Sequence, residues 1–273
     1  MSFTASGGEP WLTDNDDTTC NTGNTQSVSV TLDTSIPLTW VRVGVSNAGL
    51  RKAKVDGLTL DIECSTTEPV SGVTLSWSGV TGLCSLYISG GRNVALKQTA
   101  QQSSRFIPDG VPNSYYAENA VDGVYPDPGW WTVTFSQAVD VTRFLIYNRV
   151  DCAQGCLDRL VNFTLTAQSV PSTATPYSYT DPGGPGQDSY TVVPSPRISF
   201  PVSLVRFVTA HSTKILTLCE VFVFGETNCP AGLFGLRCER QCNCADQGSC
   251  FVHSGGCPSG CATGYTGEEC SGG

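Results

Sequence analysis

Arg149, Asp151 and Arg159 are the residues of this chain whose types and spacing best support chemistry. A guanidinium donates two parallel hydrogen bonds in a planar fork, a geometry that matches the vicinal hydroxyls of a sugar, and a carboxylate two residues away can hold that fork in place. Cys152 and Cys156 follow at once, near enough in sequence to staple the loop and to offer a small apolar face to ring carbons or a methyl group. The chemistry of the set is recognition of a hydroxyl-rich ligand. The plainer alternative for Arg-Asp-Arg on a loop is a surface ion pair. Catalysis has little foothold: there is no Gly-x-Ser-x-Gly elbow, no His-Glu-x-x-His and no phosphate loop, and the two histidines, His211 and His253, fall in separate segments. The carboxylates show no pairing that argues for a glycosidase. The expectation is a protein that is not an enzyme.

Strands must position these residues. Thr132 to Phe135 and Val141 to Tyr147 alternate apolar and polar side chains at period two, which predicts two strands, the second delivering Asn148-Arg149-Val150-Asp151 to a loop. Upstream, SVSVTL, TWVRVGV, LTLDIEC and VTLSW predict a small β domain of the same kind. The two regions are related. SVTLDTSIPLTWVRV, from Ser29, aligns without gaps on TVTFSQAVDVTRFLI from Thr132, and LCSLYISGG from Leu83 mirrors LCEVFVFGE from Leu218. The first copy has VSNAGLRK where the second has NRVDCAQGC, so it lacks the Arg-x-Asp and the staple, and its expected role is structural. Its Asp14, Asn15, Asp16 and Asp17 suit calcium, although an acidic solvated loop is the commoner meaning of such a run.

Residues 170–201 are rich in Pro and Gly without a sustained period and read as a long loop, with Tyr177, Tyr179 and Tyr190 available for a contact surface. From Asn228 onward the pattern changes, with eight of the fourteen cysteines in the last 45 residues. A segment of that size buries too little apolar surface to stand alone, so cross-links must stabilise it. Spacing predicts Cys229 with Cys238, Cys242 with Cys250, Cys244 with Cys257, and Cys261 with Cys270. The resulting division is 1–90, 91–226 and 227–273.

So many cysteines imply an oxidising, extracellular setting unless they bind metal, and two histidines give zinc few nitrogen ligands. A net charge of −9 disfavours nucleic acid, whose phosphates need a basic face. No run approaches the roughly 18 apolar residues of a membrane span. The opening SFTASGGEP lacks the basic start and apolar core of a secretory signal, which reads as a mature or engineered fragment. Asn162-Phe163-Thr164 is an N-glycosylation sequon, set close to an expected strand.

Residues 93–159, with NVALKQTAQQSS, AENAVDG, WWTVTF, VTRFLIYNRVD and CAQGCLDR, together with LTLCEVFVFG at 216–225, resemble the F-type lectins, the fucose-binding branch of the discoidin-like jelly rolls. The resemblance implies an all-β fold of two tandem jelly-roll sandwiches, the first a reduced copy. It implies glycans or glycoproteins as partners, and a sugar site at Arg149, Asp151 and Arg159. The sequence departs from the family pattern in three ways: the adjacent cysteine pair is replaced by Cys152 and Cys156, three more residues separate Asp151 from the second arginine, and no histidine precedes His211. The family histidine falls in VYPDPGWW, where Tyr125, Asp127 and Trp130 stand instead, though a tryptophan of that pair is expected in the core. The resemblance also implies Ca²⁺ held by the carbonyls of Asn119, Val124 and Cys219 with the carboxylates of Asp122 and Glu220, hard oxygen donors of the kind this ion requires.

Cys20, Cys64, Cys84 and Cys219 admit three connectivities. The discoidin resemblance joins Cys84 to Cys219 and leaves Cys20 with Cys64, the preferred reading, whereas the duplication points to Cys20 with Cys84, which forces Cys64 and Cys219 into an interdomain bridge. The cysteine-rich end resembles epidermal-growth-factor-like and laminin-type repeats. A competing reading of the whole is an adhesive matrix or filament component, or a receptor ectodomain, that self-associates through its modules and no longer binds sugar.

Overall fold

The computed structural model describes residues 3–5, 12, 19–22, 27–45, 59–64, 66, 68–76, 82–103, 123–124, 129–150, 154–171, 175–209 and 215–272. The chain forms two compact units, Met1–Gly91 together with Cys229–Gly273, and Arg92–Asn228. The cysteine-rich segment thus shares a unit with the first sandwich.

That sandwich contains β1 (Phe3–Ala5), β2 (Ser27–Ile36), β3 (Trp40–Val45), β4 (Thr59–Glu63), β5 (Val70–Ser76) and β6 (Leu83–Ser89). The order β1-β2-β5 makes one sheet and β4-β3-β6 the other. Alternation turns Val28, Val30, Leu32 and Ile36 of β2 inward, where they share one core with Val41, Val43, Leu86 and Ile88 of the facing sheet. Each such side chain, removed from water, contributes about 1.5–3 kcal/mol.

Cys20 is bonded to Cys84, which corrects the preferred pairings Cys84–Cys219 and Cys20–Cys64. The backbone gives the reason: Asn21 N–H donates to Leu83 O at 2.7 Å, so the chain at 20–21 runs beside the start of β6 and brings the two sulfurs together. Cys64 belongs to the first unit and Cys219 to the second.

The second unit contains β7 (Arg92–Asn93), β8 (Thr99–Gln102), β9 (Gly123–Val124), β10 (Trp130–Tyr147), a single turn α1 (Gln154–Leu157) running into a 3-10 turn (Asp158–Leu160), β11 (Phe163–Gln168), β12 (Tyr177–Thr180), β13 (Ser189–Val192), β14 (Val202–Thr209), β15 (Ile215–Leu216) and β16 (Glu220–Thr227). The two strands expected at 132–135 and 141–147 are one strand of 18 residues. No Gly or Pro interrupts the residues between them, and register shifts let the strand bend without ending. Its first half pairs with β14 and β8, its second with β16 and β13. Rings from the two halves of the sheet meet across the core: Phe144 stacks on Tyr177 at 6.4 Å, and Phe163 meets Tyr190 edge-on at 5.2 Å. The unit is therefore a two-layer sandwich around fully buried Phe144, Ile146, Phe163, Leu165, Val205 and Phe207.

The long loop expected at 170–201 is corrected by β12 and β13, which pair with β11 and with the second half of β10. Tyr177 and Tyr179 face inward on β12, and burial pushes the phenol of Tyr177 up from its usual range. Proline and glycine between these short strands mask their alternation in the sequence. Of the two tryptophans, Trp131 is core, 5.8 Å from Phe207, while half-buried Trp130 lies under the Arg206 guanidinium at 4.9 Å.

The internal duplication extends to hydrogen-bond register. In the first copy Trp40 lies opposite Ser89 and Val41 opposite Ile88; the aligned residues of the second, Arg143 with Phe224 and Phe144 with Val223, are partners in the same way. The aligned glycines Gly90 and Gly225 also occupy one structural position. A Cβ on Gly90 would lie 2.9 Å from Pro37 O, and one on Gly225 2.3 Å from Asp140 O, where Pro37 and Asp140 are themselves aligned. Close approach of backbone at the crossing between layers requires glycine in both copies.

The cysteine-rich module holds β17 (Leu233–Phe234) and β18 (Arg240–Gln241) and four disulfides, Cys229–Cys238, Cys242–Cys250, Cys244–Cys257 and Cys261–Cys270. Cys242, Cys244 and Cys250 bring their sulfurs within 4.8 Å of one another around Phe234, but all three are oxidised, so they supply no thiolate to a metal. The module rests on the outer face of β3 and β4. Trp40 and His253 have ring centroids 4.1 Å apart, Ser254 Oγ donates to Asp61 Oδ2 at 3.0 Å, and Arg42 donates to Asp61 at 2.7 and 2.9 Å and also to Glu268. The hydrogen bonds to Asp61 hold the Arg42 guanidinium above its usual pKa.

Candidate functional site

The rim at the end of β10 is assembled by one buried asparagine. Alternation along β10 puts Ile146 in the core and Tyr147 on the outer face, and the next residue, Asn148, turns back into the protein with 2% of its surface exposed. Its Nδ2 donates to Leu157 O at 2.9 Å and to Gln187 O at 3.0 Å. Its Oδ1 accepts from Arg149 N–H at 2.8 Å and from the fully buried Thr217 hydroxyl at 3.2 Å, and its own N–H donates to Asp188 O at 2.9 Å. Four chain segments, the strand end, α1, the 181–188 loop and the run before β16, thus converge on one carboxamide whose donors and acceptor are all used.

The helical turns carry a second tie. Asp158 Oδ1 accepts from Gly186 N–H at 2.9 Å and from Gln154 Nε2 at 2.7 Å, so the turn bearing Arg159 is held against the same loop. Cys156 is fully buried and disulfide-bonded; its expected partner Cys152 lies outside the described residues. On the other side, Cys219 N–H donates to Tyr147 O at 2.9 Å, and Glu220 opens β16 opposite Tyr147.

Arg149 stands half-buried immediately after Asn148, and Val150 beside it is 58% exposed. Arg159 is half-buried on the 3-10 turn and makes no hydrogen bond or ion pair among the described residues. A guanidinium half withdrawn from water without a protein acceptor has donors to offer a ligand. Asp151, Tyr125, Asp127, Asn119 and Asp122 lie outside the described residues. Of the remaining expected calcium ligands, Val124 lies on β9, which pairs with β15 just before Thr217, and Cys219 and Glu220 are both exposed. The Glu220 carboxylate makes no hydrogen bond or ion pair among the described residues.

Two residues of the rim escaped the sequence reading. Asn148 had only its place at the end of an alternating run to mark it, and polar residues there usually face water. Tyr147, 40% exposed with its ring edge-on to Phe222 at 5.7 Å, ends an aromatic row on the outer face of β10, where it pairs with Glu220 across the strands. Phe224, edge-on to Phe222 at 5.9 Å, continues the row, and Arg143 lies over its ring at 4.0 Å. Desolvation lowers the pKa of that arginine.

No family model matches the sequence, and no curated protein matches it. Among solved structures, a fucolectin from the serum of striped bass (Morone saxatilis) is similar with a TM-score of 0.40 and 20% identity, covering 82% of this chain and 95% of that one. A fucose binding module of Streptococcus pneumoniae is similar at TM-score 0.38 and 22% identity, covering 49% of this chain and 97% of that one. The lectin domain of lectinolysin complexed with Lewis B antigen is similar at TM-score 0.39 and 21% identity, with 49% and 96% covered. At these identities the chemistry of the rim rests on this chain's own residues.

Proposed function

We propose that this protein is a non-enzymatic, extracellular, lectin-like recognition module that binds cell-surface or matrix glycans at the rim of its second sandwich. The observation that carries the reading is the Asn148-centred rim, which holds the backbone of Arg149 and the turn of Arg159 in a fixed frame and leaves Arg159 without an acceptor among the described residues. In this reading both guanidinium groups donate to vicinal hydroxyls, Asp151 orients the Arg149 fork, and the Cys152–Cys156 staple faces the ring or a methyl group. Tyr125 and Asp127 stand in for the absent histidine. The six disulfides seen among the described residues, that of the Cys20 pair, that of Cys156 and the four of the module, suit an oxidising compartment.

A single shallow site binds weakly, so function needs several copies or a dense glycan surface. Replacing Arg149 with alanine is expected to lower the affinity for the best ligand on a glycan array by about 10- to 100-fold, the worth of a charge-assisted hydrogen-bond pair. Equal binding by wild type and variant, or no glycan bound at all, removes the lectin reading.

Ca²⁺ is proposed to hold the loop ahead of the tryptophan pair through Asn119, Asp122 and Val124, with Cys219 and Glu220 completing the set. Support comes from Glu220, whose exposed carboxylate is unpaired among the described residues at the mouth of β16, and from β9, whose pairing with β15 runs Val124 alongside the segment that leads to Cys219. The ion would supply charge that binds hard oxygens and would stiffen the rim. Chelation is expected to lower the melting temperature of the second unit by about 5–10 °C, the equivalent of about 2.7 kcal/mol at a hundredfold excess over Kd, with recovery on adding Ca²⁺ back. A melting curve indifferent to chelator excludes the ion.

A further inference from the structure

We infer that Asn162 carries an N-linked oligosaccharide. Asn162-Phe163-Thr164 is the one Asn-x-Ser/Thr triplet in the 273 residues. Its surroundings place it where such a modification needs to be. Phe163 is fully buried and anchors the start of β11, while Asn162 is exposed and Thr164 half-buried on the opposite face. The inward phenylalanine therefore turns both members of the sequon toward the outside of the sandwich.

Asn162 immediately precedes β11, which begins at Phe163. Its backbone has φ of +55°, a conformation asparagine tolerates better than most residues. An asparagine in this conformation commonly bonds its own side chain to nearby backbone. Here the turn is secured without it: Asp181 Oδ2 accepts from Asn162 N–H at 2.8 Å and from Gly183 N–H at 3.2 Å, and Asp181 N–H donates to Phe163 O at 2.9 Å. The Asn162 carboxamide makes no hydrogen bond among the described residues, so Nδ2 is available. It lies over Gly183, where a Cβ would fall 2.7 Å from Asn162 Oδ1; glycine there gives the carboxamide its room. Thr164 Oγ1 has one distant hydroxyl partner, Thr180 Oγ1 at 3.4 Å.

The co-reactant is a lipid-linked oligosaccharide diphosphate of the secretory pathway. Nδ2 forms a bond to the anomeric carbon of the first sugar, the anomeric carbon–oxygen bond breaks, the lipid diphosphate leaves with the bonding pair, and the amide proton passes to a base of the transferase. The attachment point belongs to the same end of the sandwich as the rim, because the 181–188 loop that fixes Asn162 through Asp181 also bonds Asn148 through Gln187 O and Asp188 O.

The full chain, secreted from eukaryotic cells and purified folded, is treated with a peptide N-glycanase and its mass is followed. The expected result is loss of one glycan mass and conversion of Asn162 to aspartate in the peptide between Arg159 and Arg197. Thr164→Ser keeps the acceptor hydroxyl and should retain the glycan, whereas Asn162→Gln and Thr164→Val should be secreted without it. Thr164→Val preserves side-chain shape and keeps the test open should Asn162→Gln fail to fold. Recovery of the wild-type peptide unmodified from folded, secreted protein overturns the assignment, as does a glycan that persists in Thr164→Val.

Discussion

Asn148→Ala is expected to destabilise the second unit by about 3 kcal/mol, to lower its melting temperature by about 10 °C, and to weaken the proposed glycan binding more than tenfold at temperatures where it is still folded. The substitution removes four side-chain hydrogen bonds at once and leaves Leu157 O, Gln187 O, Arg149 N–H and the Thr217 hydroxyl short of a partner. Each buried group left unsatisfied costs roughly 1–3 kcal/mol, and water entering the gap offsets part of that sum. The loss of binding has a separate origin: Arg149 and the turn of Arg159 are no longer referred to one another through a shared carboxamide. Thermal melts combined with binding at 10 °C separate the two effects. Full-strength binding by a folded Asn148→Ala protein would show that the rim holds its arginines some other way.

The paired change Cys20→Ser and Cys84→Ser is expected to destabilise the first sandwich by about 4 kcal/mol. The bond closes a loop with a sequence separation of 64, and constraint of the unfolded chain grows with the logarithm of that length. The core that remains rests on two three-stranded sheets, small enough for such a loss to be a large share of its stability. Calorimetry of the whole chain should show the transition of the first unit moved down and that of the second unmoved. Peptide mapping under non-reducing conditions gives a direct check: a peptide joining Cys20 to Cys84 is expected, and one joining Cys84 to Cys219 would refute the pairing.

Much of the architecture was readable from period-two alternation, since a sheet with one face on a core and one on solvent imposes that rhythm on residues such as Val28, Val30 and Leu32. The duplication was readable for a related reason: two copies of one fold need the same inward positions and the same glycine at the crossing, Gly90 and Gly225. The bend within β10 was not, because a bulge changes hydrogen-bond register without any obligatory residue type. Likewise β12 and β13 are short, and the prolines and glycines around them speak louder than four-residue alternation.

By itself the sequence determined the class of structure, the repeat and the cysteine-rich end, because each depends on residues close together in the chain or on patterns repeated along it. Only the tertiary structure decided which cysteine meets Cys84, that the cysteine-rich end rests on Trp40 and Arg42, and that Asn148 joins residues 149, 157, 187 and 217 at one point. Those are contacts between segments distant in sequence. Their energy comes from burial and hydrogen bonds that exist only once the sheets have closed, and no local pattern of residue types encodes them.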